Sequence, residues 1–65
     1  MIRQRGIVRN YNKIEELGYI ENENGADVLF FKQSIAENSL LTEGERVTFC
    51  IHQVLQIAIL ISPID

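Results

Sequence analysis

The chain reads as an all-β fold of five short strands closed into a small barrel or sandwich. Three observations lead there. Runs rich in β-branched and aromatic residues, Leu17-Gly18-Tyr19-Ile20 and Val28-Leu29-Phe30-Phe31, flank a turn at Asn24-Gly25, and Asn-Gly between such runs is a strong hairpin signal. Arg46 to His52 alternates apolar and polar residues, the pattern of a half-buried strand. Five short strands with little helix between them favour a barrel or sandwich.

The elements follow in order. Arg5 to Tyr11 is the first strand, with Ile7, Val8 and Tyr11 placed to pack and Arg9 to reach solvent. Asn12 to Glu16 is a polar connection. The second strand runs from about Leu17 to Glu21 and the third from Asp27 to Lys32. Because successive strand side chains point to opposite faces, Ile20, Val28 and Phe30 fill the core. Leu17, Tyr19, Leu29 and Phe31 then form an outward apolar patch, which a small domain leaves in water only for a reason. Gln33 to Leu41 is a longer loop with a helical turn near Ser34-Ile35, and Thr42 to Glu45 is a turn. In the fourth strand Val47, Phe49 and Ile51 point inward, and Thr48, Cys50 and His52 outward. The last strand lies within Val54 to Ser62 and stops at Pro63. Its run from Val54 to Ile61 is apolar on both faces, so it needs a covering loop or another chain, and association through it is expected if it is left uncovered.

Sixty-five residues, 46% of them apolar, make one domain spanning residues 1–65. A chain this short buries only about 60% of its unfolded surface. A single cysteine, Cys50, supplies neither a disulfide nor a metal cluster and suits a reducing cytoplasm. No run approaches the roughly 20 apolar residues of a membrane-spanning helix, and the amino terminus lacks a signal-peptide stretch. Cytoplasmic placement without membrane contact follows. The net charge is −3, yet four of the six cations, Arg3, Arg5, Arg9 and Lys13, fall in the first strand and its exit. That makes a local positive stripe rather than the broad field of a duplex-DNA binder. Cys50 and His52 have no further ligand or orienting partner nearby. The glutamates fall at turns and loop edges, and neither Gly18 nor Gly25 belongs to a phosphate-binding loop. No catalytic constellation, metal site or cofactor is expected.

Five strands in this length fit a barrel of the oligonucleotide/oligosaccharide-binding (OB) type, antiparallel throughout. The order of motifs also resembles the bacterial cold-shock domain over essentially the whole chain. Gly6-Ile7-Val8-Arg9-Asn10-Tyr11-Asn12 is similar to that family's opening glycine-x-valine-lysine-tryptophan-phenylalanine-asparagine. Glu15-Glu16-Leu17-Gly18-Tyr19-Ile20 is similar to its first ribonucleoprotein motif, and Asp27-Val28-Leu29-Phe30-Phe31-Lys32 to the second. Ser34-Ile35 and Glu43-Gly44-Glu45-Arg46-Val47-Thr48-Phe49 resemble the segments that follow. The resemblance implies a five-stranded barrel that binds single-stranded RNA or DNA. Flat side chains stack on unpaired bases, each worth roughly 1–3 kcal/mol, and cations follow the phosphates.

The departures fall on that chemistry. Asn10 stands where the family has an exposed tryptophan, Leu17 and Leu29 replace stacking phenylalanines, and Lys32 replaces another. Glu15 and Glu16 occupy the place of a lysine-glycine pair. Tyr19 remains an aromatic in place, Tyr11 replaces a phenylalanine and Phe31 a histidine. Losing three or four stacking partners removes about 3–4 kcal/mol, a hundredfold or more in affinity. The resemblance therefore implies weak, sequence-tolerant binding, with Tyr11, Tyr19 and Phe31 stacking and Arg9 and Lys32 holding the backbone. From the residues alone, packing of Tyr19 and Phe31 against each other and a neighbouring loop is favoured over stacking on bases, and Arg3 and Arg5 read as solvated. The rival expectation is a protein-interaction or assembly module that kept the barrel and lost the ligand, with Leu17, Leu29 and Phe31 or the Val54–Ile61 run as its contact.

Overall fold

The computed structural model describes residues 2–36 and 41–64, so residues 37–40 of the expected long loop lie outside it. Five strands, β1 (Gln4–Asn12), β2 (Leu17–Asn22), β3 (Asp27–Phe31), β4 (Arg46–His52) and β5 (Ile57–Pro63), close into a barrel in the order β1-β2-β3-β5-β4. A 3-10 turn at Lys32–Ser34 follows β3, beside the expected helical turn. No helix among the described residues is long and apolar enough to cross a membrane.

The alternation sorts the side chains as expected. Val8, Ile20, Phe30, Val47, Phe49, Ala58 and Ile61 are sealed inside, with Ile35 and Leu41 beside them and Tyr11, Val28 and Ile51 packed against the cluster. Ile7 departs from its packing expectation, because its neighbour Val8 takes the inward position and leaves Ile7 46% exposed. Four strand pairings are antiparallel; the β3–β5 seam is parallel, through Phe30 and Ala58. That corrects the all-antiparallel expectation. Because β4 runs opposite to β1 and β5 opposite to β4, the closing strand arrives in the same direction as β3.

The Asn-Gly hairpin forms as a three-residue loop. Gly25, at φ 85°, donates its N–H to the Asn22 carbonyl at 2.9 Å, and the Asn22 side-chain oxygen accepts from Asn24 and Ala26. Glycine takes the positive φ that ends such a loop without a Cβ clash.

The β1–β2 and β4–β5 turns share one construction. In the first, the Asn12 side-chain oxygen accepts the N–H groups of Ile14 and Glu15, and Glu16, at φ 61°, donates its N–H to the Asn12 carbonyl at 2.8 Å. In the second, His52 Nδ1 accepts from Leu55, and Gln56, at φ 56°, donates to the His52 carbonyl at 2.7 Å. A side-chain acceptor four residues ahead of a left-handed residue closes each loop. This turn consumes Val54 and Leu55, which stand exposed at its tip, and delays β5 to Ile57.

Within β5, two steps along β4 from Thr48 to Cys50 oppose three along β5 from Ser62 to Ile59. Leu60, at φ 53°, absorbs the extra residue as a bulge. Ala58 and Ile61 thereby face the core while Leu60 is turned out, 52% exposed. The strand that looked apolar on both faces is hydrogen-bonded to neighbours along both edges.

Cys50 points outward as expected but is only 3% exposed, because Arg3 lies across it. The Arg3 guanidinium donates to Thr48 Oγ1 at 2.9 Å and the Leu60 carbonyl at 2.6 Å, and passes 3.8 Å from Cys50 Sγ. Arg3 is therefore a structural clamp over β4 and β5, correcting its reading as a solvated cation.

Candidate nucleic-acid interface

The outward patch on β2 and β3 exists as a two-rung ladder. Leu17 lies opposite Phe31, and Tyr19 opposite Leu29. Each rung pairs one ring with one aliphatic side chain, so the rings stand on a diagonal. Tyr19 is 40% exposed and the other three are half-buried. The one aromatic ring pair among the described residues is Tyr11 with Phe30, so Tyr19 and Phe31 do not stack on each other.

The floor of this surface depends on Gly18. A Cβ there would overlap the Asn10 carbonyl oxygen and stand 2.9 Å from the Phe30 ring. The missing side chain lets Phe30 rise beneath the sheet. Tyr11, opposite Gly18 in the register, then stacks on Phe30 with centroids 5.7 Å apart and planes 13° from parallel. One side of Tyr11 is thus taken by the core. Its half-exposed side lines a shallow cleft with Leu17, Tyr19 and the asparagines 10 and 12. The surface therefore brings Tyr11 and Tyr19 to one cleft and places Phe31 on the adjoining rung.

Both flanking cations are held by carboxylates. Arg9 is the extra residue where β1 takes two steps against one of β2, between Val8 and Asn10. From this bulge it reaches Glu21 and Asp27, each at 3.4 Å. Glu21 and Asp27 are directly opposed on β2 and β3, a like-charge pair that destabilises a sheet unless a cation lies between them. Arg9 supplies that cation. Lys32 Nζ meets Glu16 Oε2 at 3.2 Å, and the Lys32 N–H donates to the Glu16 carbonyl at 3.0 Å. These pairs are half in solvent, where each contributes only about 0–1 kcal/mol, so a ligand phosphate can displace them.

The carboxylate partners escaped the sequence reading, which placed the glutamates at loop edges. Glu21 and Asp27 follow from the β2–β3 register once the hairpin is set, but Arg9 reaches them only through the bulge. Among the described residues no three His, Cys, Asp or Glu side chains group closely enough to hold a metal ion.

A search of curated proteins finds no match. A family model described as the 'Cold-shock' DNA-binding domain matches residues 4–56, from the first residue of β1 to the end of the β4–β5 turn. That is a family of nucleic-acid-binding domains rather than enzymes. With the barrel closed, the motif strands β1 to β4 in order, and more than half of its residues inside that match, this chain belongs to the cold-shock domain family.

Proposed function

We propose that the protein binds single-stranded RNA or DNA on the outer face of β2 and β3, weakly and with little sequence preference. The observation that carries this reading is the outward diagonal of Tyr19, exposed, and Phe31, half-buried, two rings not stacked on each other, on a domain of a nucleic-acid-binding family. Tyr19 and Phe31 stack on bases, Tyr11 offers the half-exposed side of its ring in the adjoining cleft, and Leu17 and Leu29 supply apolar contact without a π-face. Arg9 and Lys32 touch phosphates by exchanging a carboxylate for them, so the electrostatic gain is small. On this reading the protein is a cytoplasmic single-strand binder, one domain over residues 1–65.

Titration of a labelled pyrimidine-rich oligonucleotide at low salt tests the reading. Saturable binding is expected with Kd of about 10⁻⁶ to 10⁻⁵ M, within the range of non-specific nucleic-acid binding. Absence of saturation up to about 10⁻⁴ M, the weak end of non-specific nucleic-acid binding, overturns it.

A second reading is favoured by one observation: each cation beside the rings already pairs with a carboxylate. On that reading the Leu17, Leu29 and Phe31 surface seats a protein partner, since interface cores accept aliphatic side chains. Phe31→Ala separates the two. It weakens oligonucleotide binding under the first reading and shifts the mass in light scattering under the second.

A further inference from the structure

The cations beside the rings are not the ones best placed to attract a polyanion. Around Tyr19 and Phe31, Arg9 and Lys32 are set against Glu16, Glu21 and Asp27, two positive charges against three negative. The outer face of β1 and β4 differs. Arg5 lies opposite Thr48, and Arg46 opposite Ile7; both arginines are exposed. Among the described residues neither forms an ion pair. Arg3 adds a third guanidinium on the same side, held by Thr48 and the Leu60 carbonyl, both neutral acceptors. Arg5, Ile7, Arg46 and Ile64 line a shallow groove together with Glu21 and Glu23, and Glu21 is already engaged by Arg9.

The register connects the two faces. Tyr19 pairs with Asn10 on β1, and three residues back along β1 Ile7 pairs with Arg46. At about 3.3 Å per residue and 4.8 Å per strand, Arg46 lies about 10 Å along and about 10 Å across from Tyr19. A single OB fold engages roughly 4–16 nucleotides, enough to leave the rings and cross β1.

Resting on the single-strand reading above, we propose that Arg5 and Arg46 form a phosphate-tracking strip on the outer face of β1 and β4, which holds the backbone of a strand continuing off the ring face. The strip supplies most of the salt dependence of binding, and the ring face supplies the stacking.

The test is fluorescence anisotropy over a salt series, with oligothymidylates of about 4 and about 12 nucleotides, the short one confined to the rings. Arg5→Gln/Arg46→Gln is expected to weaken binding of the long oligonucleotide several-fold. It should also flatten the log K against log salt slope by about 1.4, the value for two phosphate contacts on a single strand. The short oligonucleotide is expected to bind the variant and the parent alike. Arg5→Lys/Arg46→Lys, which keeps the charges, should retain the parental slope, and circular dichroism should show all variants folded. An unchanged slope with the long oligonucleotide overturns the strip. So does a larger slope change in Arg9→Gln/Lys32→Gln, which returns the backbone to the ring face. A shift in mass by light scattering with binding unaltered assigns the strip to a second copy of the chain and also overturns it. Failure of the parent to bind either length removes the single-strand reading itself, and the strip with it.

Discussion

The barrel wall presents two outer faces built by the same rule, alternate residues of neighbouring strands turned to solvent, and they carry their charge differently. On β2 and β3 the apolar side chains are paired rung by rung, and the neighbouring cations are locked by Glu16, Glu21 and Asp27. On β1, β4 and β5 the apolar side chains Ile7 and Leu60 are scattered, with Ile64 just beyond; Arg3 is held by neutral acceptors, and Arg5 and Arg46, in a groove they share with Glu21 and Glu23, form no ion pair among the described residues. A count of cations near a surface is therefore a poor guide to its attraction for phosphate. What matters is whether each cation already has a partner, and that depends on which strands lie side by side. The ring face is specialised for flat apolar contact, and the arginine face for charge.

The largest expected effect removes the ring face from below. Gly18→Ala forces a Cβ into the Asn10 carbonyl and the Phe30 ring, an overpacking that costs about 1–3 kcal/mol or more. Chemical denaturation should show that loss, and a midpoint equal to the parent's would mean that the floor of the surface is softer than its contacts suggest.

Next in size, Phe31→Ala should weaken oligonucleotide binding by roughly tenfold or more, from about 1–3 kcal/mol per stacked base. Unaltered affinity would move the ligand off the ring face.

Arg3→Ala probes the opposite face. It should lower stability by about 1–2 kcal/mol through loss of charged hydrogen bonds, and a thiol reagent should label Cys50 faster as its cover is removed. Labelling at the parental rate would show that β4 and β5 shield the thiol without Arg3.

The smallest effect concerns the lock on Lys32. Glu16 sits at φ 61° where a side chain is strained, so Glu16→Gly should raise stability by only about 0.5 kcal/mol, strain relief being offset by chain entropy and one lost exposed pair. Glu16→Gln keeps the backbone strain and releases Lys32. Both should bind oligonucleotide a few-fold tighter, and only the glycine variant should melt higher. If neither gains affinity, the ion pair does not restrain Lys32.

Much of the fold is written in local pattern. Val47, Phe49 and Ile51 alternate with Thr48, Cys50 and His52, so β4 and its inward set were legible to the residue; Asn24-Gly25 located the β2–β3 hairpin. The end of the chain was not. Val54 and Leu55 look like strand residues, yet the His52 cap and the left-handed Gln56 draw them into a turn. The candidate site divides in the same way. The ladder of Leu17, Tyr19, Leu29 and Phe31 follows from period two alone, whereas the stacking of Tyr11 on Phe30 needs the empty Cα–H face of Gly18 across from it.

The sequence by itself determined the first four strands, most of their inward residues and the apolar outer ladder, because a pleated strand alternates its side chains with a period that neighbouring residues already reveal. Only the tertiary structure decided that Cys50 is covered by Arg3, that β3 and β5 close in parallel, and that Arg9 and Lys32 are held while Arg5 and Arg46 form no ion pair among the described residues. Each of those outcomes depends on a contact between different strands or turns, set by register and by the bulges at Arg9 and Leu60. An extra residue in one strand re-aims every side chain that follows it, and no local pattern announces where that residue will fall.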